Sequence, residues 1–307
     1  MGEGRRCSSP SSTLDNGPAG PRLRSALKDS NIALDAMMIT YTAAPRVGPV
    51  EHRVLQALDR TRTRVWHVTD GGPSGITPSQ LRQSLHYLTA SGLLERIERG
   101  AYVVLPRSGR ILVSPLELVG SWFKDEPHVV VGHAAAEYHR VTLDTSSVVE
   151  VQLGRAKRPV EFQGVHYVFS KQAKASLLAD NVKIHLGQTT STVASPGKLL
   201  VQLLDQTSSR RSKRATRDTR LALEVIERGV TLRLWANVDW VRLVRRHGNA
   251  STARRLGYLL ERAAIPGAES LLALRGSAGN GRFSPIYPPE GPVNSRWRVV
   301  LNDPLVT

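Results

Sequence analysis

The chain carries one cysteine, Cys7, in 307 residues. A single thiol excludes an intramolecular disulfide framework. It also excludes a cysteine-built zinc or iron–sulfur cluster within one chain. Long apolar runs are missing as well, since no stretch approaches the ~18–20 consecutive apolar residues of a membrane helix. Arg5 and Arg6 are followed by Ser8, Ser9 and Pro10 where a secretory leader needs an apolar run. Arg6 also stands where a myristoylation signal wants Ser or Thr. The expectation is a cytosolic protein in a reducing setting, without a membrane. Familiar catalytic signatures are absent too: there is no HExxH, no GxSxG and no GxxxxGK[ST]. No cofactor and no metal are expected.

What is present is a globular composition with a strong charge bias. Hydrophobic residues make up 40% of the chain, enough for sizeable cores, and its length suggests about two domains at roughly 100–200 residues each. The formal net charge is +16, with 34 Arg against 8 Lys. A GC-rich genome explains Arg over Lys but not the uneven placement. Residues 205–262 hold fourteen basic against six acidic side chains, and residues 45–108 nine against five. Such blocks are the electrostatic footprint of a polyanion.

Residues 1–45 read as a disordered or weakly structured tail rich in Ser, Pro and Gly, with room for a short helix over 24–38. Met37 and Met38 are alternative starts for the native chain. Residues 46–107 read as a winged helix-turn-helix. Val50, Val54, Leu55 and Leu58 have helical spacing, and a second short helix is predicted over 62–68. Thr77, Pro78 and Gln80 form a capping box that opens a third helix with Leu81, Leu85 and Leu88 on one face. Gly92 ends it, and two β-like runs, 93–97 and 101–105, follow around Glu98, Arg99 and Gly100. At ~100° per residue, the side opposite the leucines carries Ser79, Gln83 and His86, with Arg82 on its flank. Short or planar polar groups on such a face suit base edges in a major groove. Arg96 and Arg99 lie on the wing, where Arg meets phosphate or a minor groove.

Residues 108–307 read as a mixed α/β domain with a helical lobe, so the whole chain is assigned to the α+β class. Helices are predicted over 115–123, 134–139, 196–206, 214–228, 236–246, 251–262 and 268–274. Strands are predicted over 129–131, 147–153, 160–169, 182–186, 189–194 and 297–301. Eight arginines form a candidate basic patch for DNA or a partner: Arg210, Arg214, Arg217, Arg242, Arg245, Arg246, Arg254 and Arg255. Leu256, Gly257, Leu259 and Leu260 read as core, with Gly257 allowing a close helix approach.

Five stretches, in this order, carry a resemblance. They are Gly92–Tyr102 around Glu95-Arg96-Ile97-Glu98-Arg99-Gly100, then Val131-Gly132-His133 through His139, then Ser195-Pro196-Gly197-Lys198 through Asp205. The fourth is Ala253-Arg254-Arg255-Leu256-Gly257-Tyr258 through Glu261, and the last is Pro285-Ile286-Tyr287-Pro288-Pro289 with Asn294-Ser295-Arg296-Trp297. Over about residues 50–303 the chain resembles the AbiEi family, antitoxins of bacterial type IV toxin–antitoxin (abortive-infection) operons. It departs from the family pattern at His139-Arg140, at Gly197-Lys198 and in the basic 210–220 stretch. The resemblance implies a non-enzymatic autorepressor that binds inverted repeats in its own promoter through the winged helix. It also implies that the C-terminal domain counteracts a toxin of nucleotidyltransferase fold.

Two other classes compete. A winged helix can serve as a protein-interaction module rather than a DNA reader. Asp144 and Glu150-Val151-Gln152 faintly resemble a two-carboxylate metal-dependent nuclease core, with Gln152 in the lysine position and Lys157 nearby.

Overall fold

The computed structural model describes residues 47–60, 65–105, 113–205, 212–277 and 279–307, with side chains omitted for 212–217. The tail, its 24–38 helix, the two internal methionines and Arg210 lie outside the described residues.

Helix α1 (Pro49–Arg60) buries Val54, Leu55 and Leu58. Helix α2 (Pro78–Ala90) buries Leu81, Leu85 and Leu88. Strands β1 (Val65–His67), β2 (Leu94–Glu98) and β3 (Ala101–Val104) form an antiparallel sheet in the order β1-β3-β2. Alternation in this small sheet splits its side chains between two cores. Trp66, Leu94, Tyr102 and Val104 face the leucines of α1 and α2. Val65, Ile97, Ala101 and Val103 join the larger core that fills the rest of the chain. A helix over 62–68 is corrected here. Residues 61–64 lie outside the description, and β1 then pairs Val65 with Val103 and Trp66 with Tyr102 before a 3₁₀ turn, Val68–Asp70. A period of two is what lets Val65 and Trp66 enter opposite cores, and a helix cannot provide it.

The larger region has a six-stranded mixed sheet. Its strands are β4 (His128–Val131), β5 (Val148–Leu153), β6 (Val160–Phe162), β7 (Val165–Lys171), β8 (Asn181–Leu186) and β9 (Thr189–Ala194), in the order β6-β7-β5-β4-β9-β8. The run over 160–169 is a hairpin rather than one strand, because Gln163 (φ 50°) and Gly164 (φ 76°) turn it. Helices α3 (Pro115–Trp122), α4 (Gly132–Tyr138) and α5 (Lys174–Leu178) are interleaved with these strands.

A helical lobe follows: α6 (Pro196–Leu204), α7 (Ser212–Thr231), α8 (Trp240–His247) and α9 (Ala250–Arg262). Helix α8 starts four residues later than the predicted 236, because the Asp239 carboxylate accepts from the Arg242 N–H at 2.9 Å and caps it there. The 268–274 segment is a 3₁₀ helix. Three two-residue strands, β10 (Gly281–Arg282), β11 (Val293–Asn294) and β12 (Val299–Val300), close the chain in the order β10-β12-β11. The fold is α+β. No described helix is long and apolar enough to cross a membrane.

Candidate nucleic-acid interface

The start of α2 is fixed by its own sequence. The Gln80 N–H donates to Thr77 Oγ1 at 3.3 Å, and the Thr77 N–H donates to Gln80 Oε1 at 3.0 Å. Pro78 takes the first helical position. Ser84 donates to Glu51 at 3.1 Å and ties α2 to α1. With Leu81, Leu85 and Leu88 inward, Ser79, Arg82, Gln83 and His86 are all exposed. Two of them have local partners: Ser79 Oγ lies 3.1 Å from Thr77 Oγ1, and Arg82 Nε donates to the Pro78 carbonyl at 3.2 Å. Gln83 and His86 occupy the middle of the exposed arc. Tyr87, 39% exposed, extends that arc on the side away from Arg82. The spacing of Leu81, Leu85 and Leu88 is itself the signal that places Tyr87 off the core.

On the hairpin, Arg96 and Arg99 are exposed. Arg96 Nε donates to the Glu98 carbonyl at 3.1 Å, which holds the side chain along the strand. Gly100, at φ 85°, makes the turn that carries Arg99. A bulge between Arg96 and Glu98 shifts the register of β2 against β3. Glu98 thereby reaches the larger region, where Trp122 Nε1 donates to it at 2.7 Å and Lys157 pairs with it. Lys157 Nζ also sits 4.8 Å from the Trp122 ring centroid and 5.3 Å from that of Phe169. Three further contacts brace the same side: Gln163 to Glu95 at 2.9 Å, Lys124 to Asp70 at 2.8 Å, and His67 Nε2 with the Trp122 carbonyl at 3.0 Å.

The arginines of the predicted patch whose side chains are described do not form one surface. Arg242, Arg245 and Arg246 are exposed on α8 and line a shallow groove of about 360 Å³ with Asp239 and Val241. Arg242 and Arg246 each pair with Asp180 at 3.1 Å, and His247 Nε2 reaches the same carboxylate at 2.9 Å. Burial pushes the Asp180 carboxyl up, but His247 and the two arginines outweigh it and hold it below the usual carboxylate range. Arg214 and Arg217 belong to α7, on residues whose side chains are not described. Arg254 and Arg255 are a correction, because both are buried, at 8% and 6% exposure. Arg255 donates to the Leu204 carbonyl at 2.9 Å and to the Arg282 carbonyl at 3.1–3.2 Å, stitching α6 and β10 to α9. Helical spacing placed the two arginines at the opening of α9, but the loops that cover that turn come from elsewhere in the chain.

The nuclease constellation is not assembled. Glu150 sits on β5 against the backbone of Gly132, and Gln152 is buried and accepts from Gln202 at 3.2 Å. Lys157 is taken by Glu98. Asp144 lies in a separate loop on the wall of a cleft of about 1,010 Å³, with His133, Arg220, Glu224 and Tyr287. Among the described residues no three His, Cys, Asp or Glu side chains gather to hold a metal. His139 Nε2 lies 2.7 Å from the Ala194 carbonyl, and burial lowers its pKa.

No protein-family model matches the chain, and no curated protein matches it in sequence. Among solved structures, it is similar to the crystal structure of the RV2827C protein from Mycobacterium tuberculosis, at 18% identity. The likeness covers 84% of this chain and 93% of that one with a TM-score of 0.54, so the two share a fold over most of their length.

Proposed function

We propose that the chain is a cytosolic bacterial DNA-binding antitoxin that represses its own promoter, with residues 46–107 as a winged helix-turn-helix. The observation that carries this reading is the capped α2, which exposes Ser79, Arg82, Gln83 and His86 in one row beside a basic hairpin tip. The order α1-β1-α2-β2-β3, with β3 between β1 and β2, suits that assignment. In it α2 enters the major groove, and Arg96 and Arg99 meet the flanking backbone or minor groove. Inverted repeats in the promoter are the expected operator. The α+β remainder is the part that counteracts a toxin of nucleotidyltransferase fold, in keeping with the AbiEi resemblance.

The test is binding to the DNA upstream of its own gene, with a scrambled competitor and a salt series. Gln83→Ala should cost about 1–3 kcal/mol at one base position and little elsewhere. Arg99→Ala should weaken binding to every sequence and lower the salt slope by about one. Equal affinity for cognate and scrambled DNA would remove α2 as a sequence reader and leave a protein-docking module.

A further inference from the structure

Beside the arginines of α8, three side chains join in one run of hydrogen bonds. Ser176 belongs to α5, Asp180 to the turn that leads into β8, and His247 to the last turn of α8. Ser176 Oγ lies 3.1 Å from His247 Nδ1, and His247 Nε2 lies 2.9 Å from Asp180 Oδ2. An ionised carboxylate only accepts, so the proton of a neutral His247 ring sits on Nε2. Nδ1 is then an acceptor, and the Ser176 hydroxyl donates to it. A hydroxyl, a base and a carboxylate that orients the base are thus within hydrogen-bond reach of one another.

The surroundings hold this relay in place. The His247 side chain is fully buried and that of Asp180 nearly so, whereas Ser176 is partly exposed. Arg242 and Arg246 each pair with the Asp180 carboxylate at 3.1 Å, so α8 is fastened to this turn without help from the imidazole. Asp180 takes φ 57°, a costly conformation for a residue with a side chain and one that clusters at functional sites. Lys198 Nζ donates to the carbonyls of Ser176 and Ala179 at 2.7 and 3.0 Å and fixes the backbone that carries the hydroxyl. Burial comes first among the effects on His247 and lowers its pKa, so the ring is neutral at neutral pH and able to take a proton. The shallow groove of about 360 Å³ on α8 is lined by Arg242, Arg245 and Arg246. Two of these arginines touch Asp180, so positive charge borders the relay.

We propose that Ser176 is an activated nucleophile that takes an acyl group from a small ester carrying negative charge. In that step Oγ attacks the ester carbonyl carbon while its proton passes to His247 Nδ1. The Oγ–C bond forms, the ester C–O bond breaks, and the leaving alcohol takes up the proton from Nδ1. Asp180 positions the ring and stabilises the cation formed on it, and the groove arginines attract the anionic part of the ester. None of these residues lies on α2 or the hairpin, and the proposal stands or falls independently of the operator test.

The experiment incubates the full chain with p-nitrophenyl succinate or p-nitrophenyl acetate, follows nitrophenolate release and maps the acylated residue by peptide mass spectrometry. One acyl group per chain is expected, on Ser176, with the succinyl group transferred about tenfold faster than the acetyl group. Ser176→Ala, which removes a single hydroxyl, should fall to the rate of the urea-unfolded chain. His247→Gln should slow acylation about a hundredfold, with its melting temperature as the folding check. Should that variant not fold, the comparison of native with urea-unfolded wild type decides. Arg245→Gln, at an exposed position, should narrow the preference for the succinyl ester about threefold. Acyl groups spread over lysines, with Ser176 no faster in the native than in the unfolded chain, overturn the proposal. Equal rates for the two esters overturn the anionic class of substrate.

Discussion

Gly257 lacks a side chain because the indole of Trp297 fills that space. A Cβ there would lie 2.0 Å from Cζ3 and 2.3 Å from Cη2 of the ring. The sequence suggested a close helix approach at this glycine; the neighbour is an aromatic side chain from the end of the chain. Gly257→Ala should therefore lose about 1–3 kcal/mol in denaturant unfolding, the usual cost of overpacking. Lys198 makes a different kind of demand. It is fully buried, and its Nζ donates to the carbonyls of Ser176 (2.7 Å) and Ala179 (3.0 Å) and to Asn181 Oδ1 (2.8 Å). Burial pulls its pKa from 10.5 down to about 8; Asp180 opposes this and Arg246 adds to it. Between those two values the unfolded chain binds the extra proton, so stability rises with pH across that window. Below about pH 8 both states are protonated and the full penalty of the buried charge is present. Urea midpoints should climb from about pH 8 to 10 in the wild type and stay flat over that range in Lys198→Met. A flat wild-type series would remove the buried cation as a titrating group.

At the scale of elements, the hairpin and its bulge hold the most information. Leu94 faces α2, and Glu98, an even four residues on, would share that face under strict alternation, yet it pairs with Ala101 of the larger core. The bulge resolves the conflict and delivers Glu98 to Trp122 and Lys157. Glu98→Gln should cost about 1–3 kcal/mol, because Lys157 stays charged among aromatic rings without its carboxylate. In a double-mutant cycle with Lys157→Met the losses should be clearly non-additive, and additivity would mean the pair is idle. On the DNA-binding reading, operator affinity should fall with Glu98→Gln even though Glu98 faces away from α2. Much of this region was legible in the sequence. The Thr77 capping box, the leucine face of α2 and the Glu98-Arg99-Gly100 turn all act within a few residues, where local propensity decides. The strand Val65–His67 was not legible, because its partner, β3, lies more than thirty residues away. The burial of Arg254 and Arg255 was hidden for the same reason: the carbonyls that receive them come from residues 204, 275 and 282. Charge and spacing mark an arginine as available for a surface, and only the tertiary fold shows which ones are spent inside.

For the whole molecule, the excess of positive charge is spread over parts that do different things. Of the patch arginines, Arg242 and Arg246 are half-neutralised by Asp180, and Arg254 and Arg255 are interior. Net charge of +16 therefore overstates the free positive surface. A second expectation at this scale concerns folding. The small sheet has no solvent face, since Val65, Ile97, Ala101 and Val103 pack with Leu118, Val119, Trp122 and Phe123 in one core. A fragment spanning 47–105 would expose that apolar face, and it should show neither a cooperative melt nor dispersed amide resonances. A sharp melt with native-like dispersion would show that the α1–α2 core is sufficient by itself.

On the DNA-binding reading, the shared sheet also sets terms for anyone who would redirect this protein to another target sequence. Recombining a reading head from one relative with the remainder of another works when the joint falls in a linker. Here the joint would run lengthwise through a strand whose odd residues belong to one half and whose even residues belong to the other. New specificity would have to be introduced one side chain at a time on the outer face of α2, with everything beneath the sheet inherited unchanged.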